Sequence, residues 1–421
     1  MRTGRRELIR DLNRALVLNL VRDRDGISRA EIARVTGLSP STVTSITGTL
    51  LSEALLVEDD PQPAKPEAIG VVGRPGTLLR VDPTAGHVVG VKLAPESLTA
   101  TVTDLDAEPL AMVTLPHGTH ASPPEVVELF DTAVTQVLAA AGLGSAPLLG
   151  IGIGVPGEVH PGSGDVSRSP LPEWVDSDLA ASLEQRLGTP VLVDNDVNTL
   201  TIAEHLFGAG RGIDHLLVVS VGRGIGMGAV IEGVVVRGWR GAFGEIGHVR
   251  VQPDGPRCWC GSQGCLEAVA ASPAIVRDVH AVVGRIVGPQ DLAALADDDE
   301  RVADILAEAG RQVGGTVAAA ITILDPQRVV VSGEGVRLGD RYLDGFRDGI
   351  RDHLGLDDEH DLVFEPWGDE AWARGAASLV LRELFHPAHL RGERPPAGSA
   401  TTPRGNSPPV AARVGQGGSG P

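Results

Sequence analysis

Apolar strand-like runs alternate with long helical stretches through most of the chain, and this alternation narrows the fold class more than any other property. Runs such as HVVGVKL, LLGIGIGV, VLVDN and RVVVSGEG are almost continuously apolar, as expected of strands covered on both faces. Helical stretches such as ERVADILAEAGRQVGGTVAAAITIL lie between them. We therefore predict an α/β fold. One cluster of runs precedes about residue 200 and a second follows it, which indicates two lobes facing a cleft.

The segment SRAEIARVTGLSPSTVTSITGTLLSEALL, which begins at Ser28, predicts two helices joined by a tight turn. Ser28 can cap the first helix, Gly37 supplies the turn, and Ser39 followed by Pro40 can cap the second. This spacing is that of a helix-turn-helix, whose second helix reads DNA. An αα-hairpin that only packs against the body of the protein is the alternative. The predicted contacts between the two helices set Ile32, Val35 and Leu38 against Val43, Ile46 and Leu50.

A wing-like segment and a local basic charge support DNA binding. The stretch LVEDD…VVGRPGTLLRVDP has the form of a β-wing, with Arg74 at its tip and placed to enter a minor groove. Nine arginines against five acids give residues 1–50 a net charge of +4, although the whole chain carries −19. An exposed charged helix would explain the charge alone, but spacing, wing and charge agree on DNA. The predicted DNA-contacting residues are Arg29, Ser39, Ser41, Thr42, Thr44, Ser45 and Arg74.

All three cysteines of the chain lie in one short loop, GHVRVQPDGPRCWCGSQGCLE. His248, Cys258, Cys260 and Cys265 together supply one imidazole and three thiolates, the ligand set of a closed tetrahedral Zn²⁺ site. Four protein ligands leave no position for a reactive water, so the metal is expected to shape the site. A redox switch formed by neighbouring thiols is the alternative.

Composition places the chain in a reducing compartment and away from membranes. Three cysteines in 421 residues are too few for a secreted disulfide scaffold. The N-terminal stretch is interrupted by charges and contains neither a signal-peptide core nor a membrane span, so we expect a cytoplasmic protein. The predicted divisions are a DNA-binding domain over 1–82, a two-lobed body over 83–386, and a disordered tail rich in Pro, Gly and Ser over 387–421.

Several motifs of the body resemble the ROK family of repressors and sugar kinases, in particular its repressor branch. These motifs are IGIGVPGEV (151–159), VDNDVN (193–198), VGRGIGMG (221–228), GEIGH (244–248) and the cysteine cluster ending in CLE (265–267), preceded by the helix-turn-helix and by GRP (73–75). The resemblance extends from about residue 15 to 385. It implies a two-lobed actin-like ATPase fold, a sugar in the cleft, a zinc site beside it, and assembly into a homodimer or homotetramer.

The resemblance also assigns sugar contacts to five polar residues. The positions that match the family's sugar-binding motifs are Asn195, Asp196, Glu245, His248 and Glu267. Asp196 matches the general base of the family's kinases. Carboxylates and an amide suit vicinal hydroxyls, and an imidazole fixed by zinc keeps one orientation. Leu171 departs from the pattern, because many members have an asparagine there that touches the sugar.

Compared with the kinases that this family contains, the chain has three substitutions in the first phosphate loop. All three oppose ATP binding and therefore kinase activity. Lys92 stands where a carboxylate would help to hold magnesium, Pro95 lacks a backbone N–H, and Glu96 repels phosphate. Arg223 replaces a hydroxyl residue in the second loop. We therefore predict a sugar-responsive regulator that binds operator DNA and is not an enzyme. The resemblance to the family's repressor branch implies that it acts as a repressor. A bifunctional sugar kinase, or a DNA-binding protein with a zinc-organised surface for a partner protein, are the alternatives.

Overall fold

The computed structural model describes residues 3–24, 26–59, 77–94, 96–118, 123–143, 147–171, 179–354, 361–365 and 369–385. Three of the sequence-based predictions fall outside these residues. They concern Arg74 at the wing tip, Pro95 in the first phosphate loop, and the tail over 387–421.

The N-terminal module is a winged helix-turn-helix. It comprises α1 (Thr3–Arg24), β1 (Ile27–Ser28), α2 (Arg29–Thr36), α3 (Pro40–Ser52), β2 (Leu56–Asp59) and β3 (Leu78–Val81). The three strands pair antiparallel in the order β1-β3-β2, so the predicted wing is confirmed at its base. The caps are also as predicted: Ser28 Oγ accepts from the Glu31 N–H, Ser39 Oγ accepts from the Thr42 N–H, and Gly37 is left-handed with φ 70°.

The prediction that Val35 faces the second helix is wrong, because its side chain is 42% exposed. The inward side of α2 instead runs through Arg29, Ile32, Ala33 and Thr36, of which Ile32 is fully buried. This i, i+3, i+4, i+7 spacing defines one face of a helix. Val35 lies beside that face and points to solvent.

The first lobe of the body contains a five-stranded sheet. Its elements are β4 (His87–Leu93), β5 (Ser97–Thr103), β6 (Pro109–Pro116), α4 (Pro123–Ala141), β7 (Leu148–Val155), β8 (Glu158–Val159), β9 (Val166–Arg168), α5 (Leu179–Leu187) and β10 (Val191–Asn195). The sheet order is β10-β7-β4-β5-β6, parallel from β10 to β4 and antiparallel from β4 to β6. The helices α4 and α5 contribute apolar side chains to the buried core of this lobe.

The second lobe repeats this topology. Its elements are α6 (Asp196–Phe207), β11 (Leu216–Val221), β12 (Ile225–Ile231), β13 (Val234–Val235), α7 (Leu266–Ala270), α8 (Ser272–Val283), α9 (Leu292–Asp298), α10 (Glu300–Leu324), β14 (Arg328–Ser332), α11 (Asp340–Leu354), β15 (Leu362–Glu365) and α12 (Asp369–Phe385). The sheet order is β13-β12-β11-β14-β15, again antiparallel and then parallel. Two lobes with one strand order confirm the predicted α/β architecture.

The C-terminal helix α12 returns to the first lobe and packs on β4, β7 and α6. Two glycines allow this close approach. A Cβ at Gly90 would lie 1.9 Å from the carbonyl oxygen of Ala373, and one at Gly152 would lie 1.8 Å from that of Ala376. On its other side α12 joins the DNA-binding module, because Leu381 belongs to the same buried cluster as Leu18 of α1. The DNA-binding module and the body therefore share a core.

None of the helices in the described part of the chain combines the length and the apolar character that a bilayer span requires.

Candidate functional site

The strand-to-helix turn from β10 to α6 fixes one wall of the cleft. Asn195 caps α6, with its Oδ1 accepting from the N–H groups of Val197 and Asn198 at 2.8 and 3.1 Å. Its Nδ2 donates to the carbonyl oxygen of Gly157 at 2.9 Å. This leaves one amide N–H of Asn195 for a ligand, so the residue positions the turn as well as facing the cleft.

A buried ion pair supports the same turn from behind. Asp194 is 4% exposed, and its Oδ2 accepts from Arg237 Nε at 2.7 Å. The other oxygen, Oδ1, accepts from the Asn195 backbone N–H and from Asn198 Nδ2, both at 2.8 Å. Arg237 follows β13 in the second lobe, so this pair ties the two lobes together at the cleft.

Four carboxyl groups lie close enough in the cleft to perturb one another. Burial raises the pKa of Asp196 to about 6, although the charge of Lys92 opposes the shift. Burial also raises the pKa of Glu245 to about 7, with further contributions from Asp196, Glu158 and Glu267. Uncompensated buried carboxyls are costly. Polar hydroxyl groups of a ligand would relieve that cost by donating hydrogen bonds to them.

Glu267 joins the cleft to the cysteine loop. Its Oε1 accepts from Trp259 Nε1 at 2.6 Å, and its Oε2 accepts from the Ile225 N–H at 3.2 Å. Trp259 also sets its ring edge-on to the imidazole of His248, with 4.9 Å between centroids. Glu267 is therefore held in place by the two elements on either side of it.

The geometry of the cysteine cluster fits a tetrahedral metal ion. The ligand atoms of His248, Cys258, Cys260 and Cys265 lie within 4.8 Å of one another. Cys260 Sγ is 3.7 Å from Cys265 Sγ, and Cys258 Sγ is 3.6 Å from His248 Nδ1. Zn–S distances of about 2.3 Å and a Zn–N distance of about 2.0 Å place tetrahedral ligands about 3.8 and 3.5 Å apart. This part of the chain could bind a metal ion.

The protonation and position of His248 suit both of its predicted roles, metal binding and sugar binding. Burial lowers the pKa of its imidazole, which favours the neutral form that binds metals. Its Nδ1 faces Cys258, and its Nε2 lies 3.8 Å from Glu245 Oε2. One ring nitrogen can therefore reach the metal while the other faces the cleft.

The residues predicted to contact DNA cluster at the start of α3, with one exception. Ser41, Thr44 and Ser45 are exposed there and Thr42 is half-buried. Ser39 is the cap, and its hydroxyl also contacts Ser41 Oγ at 2.9 Å.

Arg29 is the exception, because it lies at the start of α2 and its guanidinium is already engaged. Its Nη2 donates to Glu58 Oε1 at 2.6 Å, and its Nε donates to Thr47 Oγ1 at 3.1 Å. A phosphate contact from Arg29 would require it to share or exchange these partners.

Comparison with known proteins agrees with this arrangement. The model of the ROK family matches residues 88–383, and a model described as winged helix-turn-helix DNA-binding matches residues 10–53. The chain belongs to the ROK family. It is 32% identical over 345 residues to the N-acetylglucosamine repressor of Escherichia coli O157:H7, covering 79% of this chain and 82% of that protein.

Two solved ROK structures superpose on the chain, one over most of its length and one over a smaller part. A ROK family transcriptional regulator, a homologue of the E. coli Mlc protein, superposes with a TM-score of 0.78 at 26% identity over 91% of this chain and 98% of its own. A ROK family glucokinase from Streptomyces griseus, in complex with glucose and AMPPNP, superposes with a TM-score of 0.62 at 29% identity, covering 70% and 99%. The two-lobed actin-like ROK fold with an N-terminal winged helix is thereby confirmed.

The turn predicted to be the first phosphate loop is short and exposes the charged side chain of Glu96. β4 and β5 close through a hydrogen bond from the Ala94 N–H to the Ser97 carbonyl oxygen at 2.9 Å. Glu96 is exposed in the turn. Lys92 precedes the turn on β4, and its Nζ lies 4.3 Å from the centroid of the Trp372 ring on α12.

Leu171 takes no part in the cleft surface. It is 6% exposed and belongs to the apolar core of the first lobe. The departure from the ROK pattern at this position therefore adds packing to the lobe.

Several residues of the site escaped the sequence analysis. They are Glu158, Arg168, Asp194, Arg237 and Trp259. Arg168 Nη2 donates to the Cys260 carbonyl oxygen at 3.1 Å across 92 residues of sequence, a contact that no local pattern encodes. Glu158, Asp194 and Trp259 carried a signal, since each lies inside a motif already singled out.

Proposed function

We propose that this ROK protein is a sugar-responsive transcriptional regulator, acting as a repressor, that binds operator DNA through α3 and its wing. The observation that carries the proposal is the core shared by the DNA-binding module and α12. The relationship to the N-acetylglucosamine repressor and to the Mlc homologue supports the same function. Under this proposal Ser39, Ser41, Thr42, Thr44, Ser45, Arg29 and Arg74 contact DNA.

The cleft is proposed to bind the sugar through hydrogen bonds to Asn195, Asp196, Glu245, His248 and Glu267. The raised pKa values of Asp196 and Glu245 support this assignment, because perturbed carboxyls concentrate at binding sites.

A continuous set of contacts links the proposed sugar-binding residues to the DNA-binding module. α6 begins at Asp196 and packs along α12. Lys92 lies between the two, since it acts electrostatically on Asp196 and contacts Trp372 of α12. α12 then contributes Leu381 to the core of the module. A ligand that changes the position of α6 would shift the equilibrium between arrangements of the recognition helices.

Loss of phosphoryl transfer is part of the proposal. A ROK kinase holds its magnesium nucleotide at this loop. Here Lys92 replaces a carboxylate with a positive charge, Pro95 lacks a backbone N–H donor, and Glu96 adds a negative charge. The stacking of Lys92 on Trp372 supports this assignment, because it gives the ammonium group a structural role. Asp196 would then accept a hydrogen bond from the sugar without acting as a base.

The metal proposed for His248, Cys258, Cys260 and Cys265 is Zn²⁺. Four protein ligands would make it structural, with no open position for a reacting water. Its contribution would be to hold Trp259 and His248 against the cleft.

We also propose that the protein is a homo-oligomer in the cytoplasm. Two recognition helices held by a homodimer, or pairs of them in a homotetramer, would match a pseudo-palindromic operator. The protein would act in the cytoplasm, where the chromosome is accessible.

Selection of bound fragments from the source genome with the purified chain tests the DNA-binding half. We expect a small set of fragments that share a two-fold symmetric motif, and loss of their enrichment in Ser41→Ala/Thr44→Ala. A coupled assay for ADP release with hexoses and magnesium ATP tests the kinase alternative. Turnover that disappears in Asp196→Asn would contradict the regulator-only function.

A further inference from the structure

Lys92 lies at the point where β4, α6 and α12 come together. Its Nζ is 4.3 Å from the centroid of the Trp372 ring on α12, and its charge acts on Asp196 at the start of α6. The Trp372 ring is buried in one apolar cluster with the α6 residues Val197 and Leu200. The ammonium group of Lys92 is therefore placed between a carboxylate of the proposed sugar site and an aromatic ring of α12.

The carboxylate and the ring attract the same ammonium group. The face of an indole attracts a cation, and the attraction is stronger where both groups are removed from water; Trp372 is 8% exposed. Burial raises the pKa of Asp196, and the charge of Lys92 is the largest effect that lowers it. A ligand hydroxyl that donates a hydrogen bond to Asp196 spreads the negative charge of the carboxylate. The balance of forces on the Lys92 ammonium group then shifts toward the ring.

The part of α12 that carries Trp372 is packed too closely on β4 to move alone. A Cβ at Gly90 would lie 1.9 Å from the carbonyl oxygen of Ala373, so the strand and the helix are in backbone contact beside Lys92. Leu381, about 14 Å further along α12 at 1.5 Å per residue, belongs to the buried cluster of the DNA-binding module. Because closely packed elements transmit displacement, a shift at Trp372 reaches the module through the helix.

We propose that Lys92 is the positioning residue through which occupancy of the cleft controls the DNA-binding module. Without a ligand, its ammonium group is shared between Asp196 and Trp372. A sugar hydroxyl bound to Asp196 leaves the ammonium group more firmly on the indole ring, and α12 takes the arrangement that fits this contact. The inference rests on the proposed function, because it names the residue that couples the sugar site to the DNA site.

Two substitutions of Lys92 separate its charge from its packing. Lys92→Met removes the charge and keeps an unbranched apolar side chain, whereas Lys92→Arg keeps the charge and the attraction to an aromatic face. The probes are glucose, N-acetylglucosamine, xylose, glucose 6-phosphate and N-acetylglucosamine 6-phosphate, each titrated into the full chain by calorimetry in zinc-containing buffer. Fluorescence anisotropy then gives the operator dissociation constant with and without each probe that binds. The ratio of the two constants is the coupling factor.

The coupling factor should depend on the charge at position 92. We expect about 5- to 150-fold for the wild-type chain, less than about twofold for Lys92→Met, and about fivefold or more for Lys92→Arg. Arg285→Met, which removes an exposed charge beyond α8, is the control and should match the wild-type chain. Trp372→Leu should lower the coupling factor as Lys92→Met does, and the double variant should lower it no further, because the two side chains act as one unit.

The outcomes separate this inference from the function it rests on. A Lys92→Met chain that keeps the wild-type coupling factor overturns the inference and leaves the regulator standing. Loss of coupling in Lys92→Arg as complete as in Lys92→Met also overturns it, since the charge would then not be the property that matters. These two variants decide the question even if Trp372→Leu does not fold.

Ligand binding by the Lys92→Met chain provides a further check. If it no longer binds any probe that the wild-type chain binds, Lys92 is a ligand contact and the inference is wrong. If no probe changes the operator affinity of the wild-type chain, the proposed function and this inference are both contradicted for these ligands.

Discussion

Replacing Asp196 by asparagine should stabilise the ligand-free protein at high pH while impairing its ligand site. Asparagine has the same shape, and its Oδ1 can still accept from the Val197 N–H that now lies 2.9 Å from Asp196 Oδ1. The pKa of Asp196 is raised from 3.8 to about 6 by burial. Because the folded state holds the proton more tightly than the unfolded state, ionisation costs stability as pH rises from about 4 to about 6.

Raising the pKa of Asp196 from 3.8 to about 6 corresponds to about 3 kcal/mol. Asp196 is only half-buried, and it shares repulsion with neighbouring acids, so we expect about 1–2 kcal/mol after screening. Urea denaturation of Asp196→Asn should show this gain at pH 8, and the gain should shrink toward pH 5. The exposed Asp304→Asn on α10 should show no such trend. Equal or lower stability of Asp196→Asn at pH 8 would refute the argument that the cleft stores unrelieved carboxylate charge.

Three further predictions concern packing, capping and the metal. Gly152→Ala should lower the unfolding temperature, because its Cβ would meet the Ala376 oxygen and overpacking costs about 1–3 kcal/mol; Gly48→Ala, which meets nothing within 4 Å, should not lower it. Ser39→Ala should destabilise the DNA-binding module by about 1 kcal/mol through loss of the cap, measured by amide exchange in α3. Elemental analysis should find one Zn²⁺ per chain, reduced well below one in Cys265→Ser; full occupancy in that variant would contradict the ligand assignment.

The elements that sequence could predict are those whose signals are local. The strand β4, the helix α10 and the caps at Ser28 and Ser39 depend on neighbouring residues, and they occur where periodicity and cap residues indicated them. The clustering of His248 with the cysteines is similarly local, since ligand spacing within one loop limits their separation.

The features that sequence could not predict arise from contacts between distant segments. The packing of α12 on the first lobe depends on Gly152 meeting a helix more than 200 residues later. The link from Arg168 to the cysteine loop and the ion pair from Arg237 to Asp194 have the same origin. Val35 was misplaced because the pattern of a short helix does not specify which neighbouring face it covers.

The operator affinity of the full chain with and without bound ligand tests the central claim most directly. Fluorescence anisotropy with a selected operator should give dissociation constants that differ by about 5- to 150-fold between the two states, the range of typical allosteric coupling. By linkage, operator should change the ligand's affinity by the same factor. A ligand that saturates the cleft by calorimetry and leaves the operator dissociation constant unchanged would contradict the account.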